Sequence, residues 1–238
     1  LGGAHVTEVT FAFLPPIHCR RRGDEARDLA LSRDRGGMPV KAIVVAGIVW
    51  VGAMLIGFRM LTAYAFTPGL SEPAPATWPA ESAIPRVAGR PALLVFLHPR
   101  CPCSRASLGE LSLLIAHGAA RAEVRAIFLD PAGMDAAWGE TDLWRAAAAM
   151  PGVTPLRDRE GREARLFHST TSGAALFYDA DGWLRFQGGI TASRGHAGDN
   201  PGRAAIEALL RGAASPAGAM PVFGCPLFSC SQSERKCP

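Results

Sequence analysis

A chain of 238 residues, 48% hydrophobic and 19% charged, is long enough for one domain with a substantial core plus attachments. A formal net charge of +4, with no basic run interleaved with aromatic residues, excludes a nucleic-acid groove. Six cysteines are too few for a disulfide-dense scaffold, and their clustering around position 102 and after position 224 points to chemistry rather than to staples.

Residues 1–37 carry mixed charges without a sustained apolar period and read as a disordered or non-genuine N-terminal extension, so His18 and Cys19 receive no function. Residues 38–66 read as a signal anchor. No charge occurs from Ala42 to Phe58, and apolar character resumes after Arg59 as far as Phe66, so residues 42–66 suffice to cross a bilayer with Arg59 snorkelling. Basic residues precede the run, which places the N-terminus in the cytoplasm and the rest of the chain outside, as a single-pass protein. Ala63-Tyr64-Ala65 leaves open cleavage after Ala65. Residues 67–90, with Pro68, Pro73, Pro75, Pro79 and Pro85, are expected to form an extended linker that tethers the domain.

Residues 91–212 form the domain proper. Its apolar runs and periodicities predict a strand at 91–97, a helix at 104–117, a strand at 123–129, a helix near 141–150 and a strand near 153–157. A hairpin at 174–187 and a helix at 202–211 complete it. This alternation predicts an α/β fold, a central sheet flanked by helices. Asn200 and Pro201 supply the cap and first residue of the last helix, which accounts for Asp199-Asn200 without a site role; His196 lies in the same glycine-rich loop. Residues 213–238 are a C-terminal tail that contains Cys225, Cys230 and Cys237.

The apolar strand Leu93-Leu94-Val95-Phe96-Leu97 runs through His98-Pro99-Arg100 into Cys101-Pro102-Cys103, at the head of a helix. A cysteine there lies at the positive end of the helix dipole, which favours thiolate over thiol; Arg100 would add to this. Two chemistries follow. In the first, Cys101 attacks a disulfide of a protein partner and Cys103 or Cys225 resolves the intermediate, with no cofactor. A Cys101–Cys103 bond would close a small ring of poor geometry. In the second, Cys101 and Cys103, with Cys225 or His98, hold Cu(I).

Cys101-Pro102-Cys103-Ser104-Arg105 and the segment from Asp158 to Gly182 resemble the membrane-tethered thiol-disulfide oxidoreductases of cytochrome maturation. Together with Thr171-Ser172-Gly173, Gly188-Gly189-Ile190-Thr191, Gly195-His196-Ala197-Gly198 and Val222-Phe223-Gly224-Cys225-Pro226-Leu227, they resemble the bacterial RedB proteins. The resemblance implies a thioredoxin-like fold, a central mixed sheet flanked by helices, over about residues 88 to 212, behind an N-terminal transmembrane helix. It also implies two departures. The family's Cys-x-x-Cys falls on Cys101 to Ser104, so a serine holds the resolving position. Gly173 stands where that fold carries a cis-proline.

Overall fold

The computed structural model describes residues 39–118, 121–213 and 219–228. Cys19, Cys230 and Cys237 lie outside them. The chain divides into two units, Leu1–Leu55 and Ile56–Pro238. Helix α1 (Val40–Phe66) is 27 residues long, with a mean hydropathy of 2.2 over its most apolar stretch and no buried residue. Among the described residues it is the one helix long and apolar enough to cross a membrane, a form that a signal sequence also takes.

In the second unit, β1 (Ala92–Leu97), β2 (Glu123–Asp130), β3 (Val153–Arg159), β4 (Ala174–Tyr178) and β5 (Leu184–Gly189) form one sheet in the order β3-β2-β1-β4-β5. β1 pairs in parallel with β2, and β2 with β3, whereas β4 runs antiparallel to both β1 and β5. Every residue of β1 is buried, as its unbroken apolar run requires of a central strand covered on both faces. Alternate residues serve opposite faces. Leu93, Val95 and Leu97 pack with Leu108, Leu111 and Leu114 of α2 (Pro102–Ala116) and with Leu143 of α3 (Asp142–Ala149). Leu94 and Phe96 pack on the other face with Phe167, Leu176 and Tyr178.

The short helix α4 (Arg162–Leu166) has no counterpart among the predicted elements, because five residues carry no measurable period. Buried Asp158 starts it by accepting hydrogen bonds from the N–H groups of Glu163 and Ala164, each at 2.8 Å. The final helix, α5 (Pro201–Leu210), begins where Asn200 accepts from the N–H of Arg203 at 2.7 Å.

The segment 67–90, expected as an extended linker, packs on the domain. Trp78 packs edge-on against Phe167 and Tyr178, with ring centroids 5.2 and 5.3 Å away, and Ile84 is buried. Ala74 N–H donates to Gln187 Oε1, Trp78 N–H to the Gly182 carbonyl and Leu184 N–H to the Ala76 carbonyl. The prolines keep this stretch extended, and it runs along the exposed side of β5, satisfying an edge that would otherwise be open. The tail docks there too: Met220 N–H donates to the Gln187 carbonyl at 2.9 Å, and Val222 and Leu227 are buried.

Candidate functional site

β1 delivers the chain to Cys101, which occupies the N-cap of α2 with extended backbone (φ −96°, ψ 124°) and makes no side-chain capping bond; Pro102 opens the helix. Within the first turn, the backbone N–H groups of Cys103 and Ser104 lie beside the sulfur. Cys103 lies in that turn. Cys101 and Cys103 are 4% and 7% exposed, and Cys225 is half-buried. The three Sγ atoms all lie within 4.8 Å of one another. His98, weighed as an alternative to Cys225, is not part of the group. Its Nδ1 accepts from the Arg100 N–H at 3.2 Å, and its ring meets Trp138 edge-on at 5.7 Å.

Cys225 arrives from the far end of the chain because the tail pairs with the loop before β4. Ser172 N–H donates to the Cys225 carbonyl and Leu227 N–H to the Thr170 carbonyl, both at 2.9 Å. Gly224 lets the two backbones touch: a Cβ there would lie 1.8 Å from the Ser172 carbonyl oxygen. At Gly173 the backbone has φ +92°, which suits glycine, and its N–H donates to the Phe96 carbonyl at 2.7 Å.

Ser104, the serine three residues after Cys101, is fully buried. Its hydroxyl donates to the His98 carbonyl at 2.8 Å and shares a 2.9 Å hydrogen bond with the Ser172 hydroxyl, which accepts from the His98 N–H at 3.0 Å. This network ties the end of β1 to the loop that carries the tail.

Arg100 turns away from the thiols, its guanidinium 5.3 Å from the Trp138 ring centroid. The cation that bears on the group is Arg194, absent from the sequence expectations, and its charge acts on Cys103. Arg194 donates to the Gly224 carbonyl and, at 3.2 Å, to that of Thr67; it lies 5.0 Å from the Tyr64 ring centroid. His196 turns back on its own loop, with Nδ1 2.8 Å from the Arg194 carbonyl oxygen, and Asp199 pairs with Arg203. Neither belongs to the thiol group.

Burial works against a Cys101 thiolate. Hydrogen bonds from the Cys225 thiol and from the backbone around Cys103, Cys225 and Ser104 outweigh it and hold Cys101 below the ordinary thiol range. Burial, then the Cys101 charge, pushes Cys103 up, with Cys225 and Arg194 opposing. Burial and its place beside Cys101 push Cys225 up to about 12. Of the three, Cys101 is thus the first to ionise. Titrating thiolate absorbance in the reduced protein should show a first ionisation below the usual ~8.5 of a free cysteine. It should move upward in Cys225→Ala, which removes the donated hydrogen bond; an unmoved ionisation would contradict this assignment. By linkage, the stability tied to this lowered pKa is present above the unfolded-state value and is lost as pH falls through the folded one.

No family model and no curated protein matches the chain. It is similar to the solved structure of a hypothetical protein from Sinorhizobium meliloti at 22% identity and a TM-score of 0.47, over 58% of this chain and 79% of that one. An uncharacterized conserved protein from Geobacillus kaustophilus is similar at 19% identity and a TM-score of 0.49, over 68% and 92%. A secreted disulfide oxidoreductase of Mycobacterium tuberculosis is similar at 20% identity and a TM-score of 0.37, over 52% and 83%. The chain's own topology fixes its class. With β1, β2 and β3 parallel, β4 antiparallel to its neighbours β1 and β5, the order β3-β2-β1-β4-β5, and Cys101 and Cys103 at the junction of β1 and α2, the chain has the thioredoxin-like fold.

Proposed function

We propose that this is a thiol-disulfide oxidoreductase, held at a membrane by α1, in which Cys101 and Cys225 interconvert between dithiol and disulfide. The approach of the Cys225 sulfur to within 4.8 Å of that of Cys101 carries the reading. Cys101 is the thiolate of the pair, stabilised at the helix N-terminus, and Cys225 is its disulfide partner. Cys103 is the poorer partner because, two residues from Cys101, it would close a strained ring. In this reading the N-terminus is cytoplasmic, the domain is periplasmic, and the substrates are protein thiols or disulfides.

The convergence of three thiols also favours a second reading, in which Cys101, Cys103 and Cys225 carry Cu(I) as cargo, since a soft ion suits an all-sulfur donor set. Two assays on the full chain separate them. If the first holds, the oxidised protein oxidises a reduced model dithiol, Cys101→Ser brings the rate to background, and Cys103→Ser keeps it within a few-fold. If copper is the cargo, anaerobic Cu(I) titration against a competing chelator gives a tight one-to-one complex that every one of the three Cys→Ser changes weakens, and no dithiol is oxidised.

A further inference from the structure

We propose that the partner's sulfur is exchanged at Cys225, on the tail, and not at Cys101, and that the protein works as an oxidant of partner thiols. This rests on the disulfide pair proposed above and assigns its outward-facing member.

Access supports it first. Cys101 is 4% exposed and Cys103 7%, whereas Cys225 is half-buried and the most exposed of the three. The second argument is the line of attack. A thiolate displaces sulfur from the side opposite the leaving sulfur, so attack on Cys101 would have to come from behind it. Cys101 is itself buried at the head of α2, which closes it to such an approach. Attack on Cys225 comes from the side away from Cys101, and Cys225 is the one of the three whose residue meets solvent to a larger extent. The third is the leaving group: Cys101 sits at the N-cap of α2, where the positive end of the helix receives the charge left on its sulfur. The tail is also held on both sides of Cys225, at Gly224 by Arg194 and at the Cys225 carbonyl by Ser172, so its sulfur is presented from fixed backbone.

The steps balance. A partner thiolate attacks Cys225 Sγ, the Cys101–Cys225 bond breaks, and its electron pair stays on Cys101 as thiolate. The partner is now joined to Cys225 by a mixed disulfide. A second partner thiolate attacks the partner's own sulfur, and Cys225 leaves and takes a proton from solvent. The partner ends as a disulfide, and the protein has gained two electrons.

The test uses the full chain, oxidised to the Cys101–Cys225 disulfide and mixed with reduced glutathione. Acid quenching, alkylation and peptide mapping follow. Glutathione on Cys225 with Cys101 alkylated, in at least tenfold excess over the reverse, is the expected result. Glutathione on Cys101 with Cys225 alkylated overturns the assignment while leaving the disulfide pair intact. Failure of the starting disulfide to form overturns the pair and this assignment with it. Repeating the map in Cys103→Ser, which cannot reshuffle through the third thiol, should give the same position.

Discussion

Gly224→Ala should abolish the Cys101–Cys225 disulfide while leaving the sheet folded. The added Cβ would lie 1.8 Å from the Ser172 carbonyl oxygen and 2.9 Å from its carbon, both backbone atoms that no rotamer change can move. The tail must therefore lift, with loss of the Ser172 N–H bond to the Cys225 carbonyl and of the Arg194 contact at Gly224. The cost should be about 1–3 kcal/mol, the usual range for overpacking. The core built on β1 does not include Gly224, so the domain survives this loss. Two readouts check the expectation. Alkylation of Cys101 should quicken at least tenfold once the tail no longer covers it, and oxidation should no longer remove a pair of thiols. A variant that forms the disulfide as readily as the parent would show that the tail does not set the site.

Glu110→Ala should be among the most damaging single changes in the domain. Glu110 is fully buried in α2 and lies 2.9 Å from the Arg203 guanidinium on α5, itself only 13% exposed. Its carboxylate also accepts from the N–H of Gly198 and, at 3.1 Å, from Asn200 Nδ2. Removing it leaves Arg203 with only Asp199 and Glu207 as partners and strips the Gly198 and Asn200 donors of this acceptor, for a loss of about 1–3 kcal/mol. Glu110→Gln, which keeps an acceptor for the donors but not the charge, should lose less. Denaturant titration of the three proteins decides it: a loss below ~1 kcal/mol for the alanine variant would mean water replaces the carboxylate.

The sheet was legible because its signals are local. The continuous apolar run at Leu93–Leu97, the leucine period of α2 and the Asp181-Gly182 turn each sit within a few residues of the element they define. The cysteines were legible as residue types, and the helix start behind Cys101 as a pattern. What the sequence could not show is what only the folded chain brings together. Arg194 acts on the tail through Gly224 and on the end of α1 through Tyr64 and Thr67, contacts with no local signature. The Ser104, Ser172 and His98 network spans the same kind of distance. Over 67–90 the prolines stood out, whereas Trp78 and Ile84 had to be weighed as apolar surface in need of burial. Arg100 was favoured for the thiols by adjacency, yet it sits on Trp138, because neighbours in sequence at a helix entry point in different directions.

The most direct test of the central claim is a count of free thiols in the full chain, equilibrated across a glutathione redox series and mapped by mass spectrometry. The account predicts the loss of two thiols together at a single potential, in a peptide pair that joins Cys101 to Cys225, with Cys103 free throughout. A chain that keeps all three thiols free across the series, or that joins Cys101 to Cys103 instead, would contradict it.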